Sequence, residues 1–130
     1  MILVDTHIVI WLAGEENRLS KTAQAAIADA RQRKDGMGIC DVTLMELTML
    51  ASKRHIRLAI TMESFLAEVE SRFVVFPITA RACARALGLP ASFPKDSADR
   101  IIAATALVEG LPLLTADREI RRSRAVPTIW

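Results

Sequence analysis

Four acidic side chains stand at positions in this chain where an acid has either a structural or a chemical use. Asp5 closes an apolar run, Ile2-Leu3-Val4, and Asp117 comes just past another, Leu113-Leu114-Thr115. Glu46 lies in the first turn of one helical pattern, and Asp99 opens another. Taken singly, the two helical acids have a plain explanation. A carboxylate in a first helical turn favours the dipole, and Thr43 followed three residues later by Glu46 reads as a T-x-x-E capping box. Asp5 is harder to explain that way, because a carboxylate beside a buried strand needs a partner.

Taken together, the acids point to chemistry. Two carboxylates about 4 Å apart repel by roughly 4 kcal/mol at an effective dielectric of ~20. A cluster of them either takes up protons or holds a cation. An all-oxygen donor set suits Mg²⁺ or Mn²⁺, which keep several waters and also bind phosphate oxygens. Zinc would want histidine or cysteine, and neither is suitably spaced here. A divalent ion among carboxylates makes a water nucleophilic and stabilises charge on a phosphate. The reaction this implies is phosphodiester hydrolysis.

Such a cluster needs a scaffold that gathers distant residues. Ile2–Val4 has no polar alternation, as expected of a strand buried on both faces. His7–Ala13 reads as helix, and residues 14–17 as a turn. Ser20 can cap a helix whose Ala23, Ala26, Ile27 and Ala30 recur at helical spacing, ending in basic residues before Gly36. Gly38–Cys40 is a short strand, and the helix carrying Glu46 presents Leu44, Leu47 and Leu50. Thr61 can cap a helix that buries Phe65, Leu66, Val69 and Phe73. Phe73–Ile78 reads as a buried strand, and Thr79 caps an alanine-rich helix ending at Gly88. Residues 88–97 hold two prolines and a glycine, and so form a loop. Asp99–Glu109 is a strongly apolar helix stopped by Gly110, and Val126–Trp130 can add a last strand. Strands alternating with helices predict an α/β domain spanning 1–130, with a mostly parallel sheet covered on both faces. In such sheets chemistry gathers at the carboxyl ends of strands, which is where Asp5 and Asp117 fall.

Four separated blocks resemble one family in order. MILVDTHIVIW (Met1–Trp11), DVTLMEL (Asp41–Leu47), KDSADRIIAATA (Lys95–Ala106) and LPLLTADREI (Leu111–Ile120) are similar to the acid-bearing segments of PIN-domain proteins. The subgroup they most resemble is the toxin component of VapBC toxin–antitoxin pairs. The resemblance implies a three-layer α/β/α fold and a Mg²⁺-dependent endoribonuclease (Mn²⁺ as the other candidate) acting on tRNA- or rRNA-class RNA. It also implies a cognate antitoxin, a homodimer and a cytoplasmic location. It carries catalytic and metal-ligand roles onto Asp5, Glu46, Asp99 and Asp117. Asp96 shares a helix face with Asp99 and would cap the helix or steady the site from behind the ligands. Thr6 and Thr115 stand beside acids and can hydrogen-bond them. An antitoxin would set an Arg or Lys among the acids and apolar residues on Trp11 and Leu12, or on Leu47 and Leu50. The alternative is a PIN-like module that has lost catalysis and only binds RNA or a partner. The complete acid set speaks against it.

The remaining features narrow the field. A net charge of +2 is too small to mark a nucleic-acid binder, so local charge must carry that argument. Arg118, Arg121, Arg122 and Arg124 follow Asp117 directly and are candidates for RNA phosphate contacts. Arg100 could pair with a neighbouring carboxylate. His7 reads as structural or substrate-contacting, and His55 as solvated. With no Tyr, four Phe and two Trp, a base-stacking platform is not expected. Cys40 and Cys83 form no C-x-x-C pair and read as buried thiols. A receiver domain would need paired acids after the first strand, an Asp after the third and a lysine after the fifth, but Asp5 stands alone, Phe73–Ile78 is followed by Thr79, and no lysine follows Leu114. The apolar stretch Ile8–Ala13 is far below the ~20 residues of a membrane span. A strand starting right after Met1 gives no expectation of a leader peptide.

Overall fold

The computed structural model describes residues 1–130. In chain order it runs β1 (Ile2–Val4), α1 (Thr6–Gly14), a 3-10 turn (Glu16–Arg18), α2 (Lys21–Gln32), β2 (Met37–Cys40), α3 (Val42–Ser52), α4 (Met62–Arg72), β3 (Val74–Phe76), α5 (Ala80–Leu87), α6 (Ser97–Glu109), β4 (Leu113–Leu114), α7 (Arg118–Ser123) and β5 (Thr128–Ile129). The strands form one sheet in the order β3-β2-β1-β4-β5. Every pairing is parallel. The chain winds outward from β1 through β2 to β3, then returns to the other side of β1 for β4 and β5. The direction of winding therefore reverses between β1 and β4. The helices that follow these two strands leave in opposite directions, which opens a crevice at the strands' carboxyl ends.

Strand periodicity sorts the core into two layers. Ile2, Val4, Met37, Ile39 and Leu114 face one way, against Ile8, Val9, Ala23, Ile27, Leu47 and Val69 of α1–α4. Leu3, Cys40 and Leu113 face the other way, against Ala82, Ile101, Ile102 and Ile120 of α5–α7 and Phe93 of the loop before α6. The fold is thus a three-layer α/β/α sandwich. Each fully buried Leu or Ile contributes about 1.5–3 kcal/mol. In α6 every residue from Ile101 to Ala106 is buried, so the helix is pinned on all sides and Asp99 rides on a rigid base. Gly38 stands in β2 because a Cβ there would collide with the Phe76 ring of β3.

Caps read from the sequence at Ser20, Thr61 and Thr79 each accept a backbone N–H three residues on. Gly110 ends α6 with φ 66°. Other expectations need correction. Thr43 does not cap α3: Asp41 occupies that position and Thr43 lies buried inside the helix. The strand expected over Phe73–Ile78 is only Val74–Phe76 and lies at the sheet edge, paired to β2 alone. Val74 and Ile78 are accordingly 46% and 45% exposed. Helix α4 packs against the core next to that edge, and its Phe65 and Leu66, with Phe73 at its end, are only partly buried. Cys40 is buried as expected, whereas Cys83 is exposed on α5.

Candidate active site

Two adjacent residues at the end of β1 organise the crevice. Asp5, 4% exposed, caps α1 through Oδ1, which accepts the Thr6 N–H at 2.8 Å. Its Oδ2 accepts the Thr115 hydroxyl at 2.7 Å. Thr115 follows β4, the strand across the winding reversal, and its oxygen in turn accepts the Asp117 N–H at 3.1 Å. One buried hydroxyl therefore ties the first acid to the fourth. Asp117 uses Oδ1 to accept the N–H groups of Glu119 and Ile120 at the start of α7, and Oδ2 has no protein partner.

Thr6 reaches the other way. Its hydroxyl donates to Glu46 Oε1 at 2.6 Å, which brings α3 to the site. That proton is thereby committed, so the Thr43 hydroxyl, 3.0 Å away, must donate to Thr6. The T-x-x-E spacing that resembled a capping box instead places Thr43 and Glu46 on one helix face toward Thr6. Asp96 caps α6 by accepting the Asp99 N–H at 3.0 Å. His7 accepts the Ala116 N–H on Nε2. Neutral His7 therefore carries its proton on Nδ1, which lies 3.6 Å from Asp5 Oδ2.

The electrostatics show one sign of charge in excess. No Lys or Arg lies within 4.0 Å of Asp5, Glu46, Asp96, Asp99 or Asp117. Arg100, expected as a candidate partner, instead points at the Ala86 and Phe93 carbonyls and over the Phe93 ring. Burial, then repulsion from Asp5, Asp96, Asp117 and Glu46, pushes the Asp99 carboxyl up to about 7. Burial also raises Glu46, opposed by the Thr6 hydrogen bond and reinforced by Asp5 and Asp96. The acids feel one another, yet no three of them stand close enough together to hold a metal ion on their own. Mg²⁺ is commonly bound through one or two carboxylates, with water and substrate phosphate completing its shell.

Residues 2–125 match the sequence pattern of the PIN domain. The chain belongs to the PIN-domain family. Across 99% of this PIN domain and 98% of the relative, it is 37% identical to ribonuclease VapC22 of Mycobacterium tuberculosis. Its fold superimposes on VapBC2 from Rickettsia felis, solved with a DNA fragment from its promoter. The TM-score is 0.74, at 18% identity, over 98% of this chain and 97% of the other. DNA-bound VapBC from Salmonella typhimurium gives 0.68 at 24% identity, again over 98% and 97%. The parallel sheet with helices on both faces is thus the architecture the sequence resemblance implied.

Within this PIN domain, sequence reading missed two contributors. Thr43 had a signal, since it sits one turn before Glu46 on the same face. The bond from the Ala116 amide to His7 had none, because it depends on β4 lying beside β1.

Proposed function

We propose that this PIN domain is a divalent-metal-dependent endoribonuclease, the toxin of a toxin–antitoxin pair. The observation that carries the reading is the set of acids at the β1/β4 crevice with no Lys or Arg among them; burial and then their mutual repulsion push Asp99 toward neutrality. The ribonuclease VapC22 relationship over nearly the whole chain supports the activity. Asp5, Glu46, Asp99 and Asp117 would hold Mg²⁺, with Mn²⁺ as an alternative, and Asp96 would steady Asp99 through its cap. The bound ion supplies charge stabilisation on the phosphate and an activated water.

The rest of the mechanism belongs to the chain. Thr115 fixes Asp5 and the Asp117 backbone relative to each other, so that two ligands hold their spacing. Thr6 holds Oε1 of Glu46 and leaves Oε2 without a protein partner. The substrate is RNA of the tRNA or rRNA class, and the enzyme works in the cytoplasm as a homodimer. No helix is long and apolar enough to cross a membrane.

A cognate antitoxin would restrain the enzyme by placing an Arg or Lys among the acids. Its apolar residues would lie against Leu12 and Phe65, which line a cavity of about 390 Å³ between α1 and α4. Of the positions expected from sequence, Leu47 is fully buried and unavailable, whereas Leu50 and Trp11 line the neighbouring concavity. The test is calorimetric Mn²⁺ titration of wild type and Asp5→Asn, alongside cleavage of purified tRNA and rRNA. Equal metal binding by both proteins removes Asp5 from the site. Absence of RNA cleavage in the presence of Mg²⁺ or Mn²⁺ rejects the activity.

A further inference from the structure

Beyond Asp117, helix α7 carries a charge arrangement that the acid site does not use. At 100° per residue, Arg118, Arg121 and Arg122 fall within about a third of the helix circumference. Ile120, 1% exposed, lies on the opposite side and fixes that face outward. Arg124 ends the helix in the left-handed region at φ 54°. These four arginines alone line a surface concavity of about 480 Å³.

Folding does not account for the cluster. None of the four guanidinium groups is in an ion pair, although Glu119 lies among them in the sequence. The helix dipole favours Arg121 and Arg122 in the last turn but disfavours a cation at Arg118 in the first. Left-handed backbone is unfavourable for any side chain that carries a Cβ, and four like charges around one concavity repel. The arrangement works against stability, so its use lies in what it binds. Guanidinium forks match phosphate oxygens bidentately. With no aromatic or apolar residue in its lining, the concavity offers charge to a phosphate backbone and no aromatic platform on which bases would stack. Its near end is the residue next to Asp117, and α7 extends about 9 Å from there.

We propose that Arg118, Arg121, Arg122 and Arg124 form a phosphate-binding rail that holds RNA backbone beside the cleavage site, setting affinity without sequence preference. The proposal rests on the ribonuclease reading above and adds to it where the flanking phosphates bind.

The test separates binding from cleavage. A fluorescently labelled 20-nucleotide single-stranded RNA is titrated in chelator by anisotropy, at several salt concentrations. The variant R118Q/R121Q/R122Q should bind at least tenfold more weakly at low salt. The slope of log K against log salt should fall in magnitude by about two, near 0.7 for each lost phosphate contact. The variant R31Q/R33Q/K34Q removes the same charge just before β2, at the opposite end of the sheet, and should keep the wild-type slope. The variant R118K/R121K/R122K conserves charge and packing, and should retain the slope with reduced affinity. With Mg²⁺ present, the glutamine variant should show KM raised about tenfold and kcat within twofold, as expected when binding is lost equally in ground and transition states.

An unchanged slope in the α7 glutamine variant overturns the rail. So does an equal fall in the α2 control, which would make the effect bulk charge. Loss of antitoxin binding with RNA binding intact also overturns it, in favour of a protein interface. Wild-type protein that binds RNA through these arginines and never cleaves it supports the rail and sinks the ribonuclease reading.

Discussion

Replacing Asp99 by asparagine should make the metal-free protein more stable at alkaline pH. In the folded chain the Asp99 carboxyl sits at about 7, against 3.8 for an unperturbed group. Between those two values the folded state keeps a proton that the unfolded state has released. Stability must therefore fall as pH rises through that window, and the loss is complete above about 7. The gap corresponds to an upper bound of about 4 kcal/mol, which solvent screening at this half-buried group reduces to about 2 kcal/mol. The asparagine amide resembles the protonated acid in shape and charge, so Asp99→Asn carries no such penalty. At pH 4 the two proteins should melt within a few degrees of each other. At pH 8 the variant should lead by roughly 6 °C, given about 3 °C per kcal/mol for a chain of this length. The assay is thermal unfolding in chelator across pH 4–8. Adding Mn²⁺ at pH 8 should raise the wild-type Tm by mass action and move the variant much less. A difference in Tm that does not change with pH would refute the account of Asp99 as an uncompensated charge.

Asp5→Asn, Asp99→Asn and Asp117→Asn should each remove most RNA cleavage. Asp96→Asn, whose amide oxygen can still cap α6 at a cost below about 1 kcal/mol, should leave a substantial remainder in the same assay. Thr115→Val leaves buried Asp5 without its hydroxyl donor and should lower stability by about 1–3 kcal/mol in urea unfolding, with Thr115→Ser largely restoring it. Gly38→Ala drives a methyl group into the Phe76 ring and should cost about 1–3 kcal/mol by the same measurement, with cleavage retained at low temperature.

Much of this was legible in the sequence because the relevant forces are local. The caps at Ser20, Thr61, Thr79 and Asp96 and the stop at Gly110 depend on a handful of neighbouring residues. The apolar runs at Ile2–Val4 and Leu113–Leu114 announce strands covered on both sides. Strand position within the sheet is not local. Phe73–Ile78 has the composition of a buried strand, and only the order β3-β2-β1-β4-β5 makes it an edge. The site divides in the same way. Asp5 and Asp117 can be found from their places after apolar runs, and Thr115 from its neighbourhood. The role of Thr43 is hidden because a T-x-x-E spacing serves a cap and a shared helix face equally well. What decides between them is Thr6, 37 residues away in sequence. Arg100 is drawn off by the Phe93 ring and two carbonyls, which no spacing along the chain reveals.

Asp5, Asp96 and Asp117 each begin a helix, and a side-chain amide oxygen can take over much of that duty. Aspartate and asparagine codons differ by a single base. A single base change can therefore disarm this protein and leave it folded. A cell carrying such an allele would still make a protein displaying every surface of the original. Under the toxin reading proposed above, it would compete for the same antitoxin and free active copies from restraint. The doubling of chemical and capping roles in the same carboxylates puts a well-folded, inactive allele one base change away.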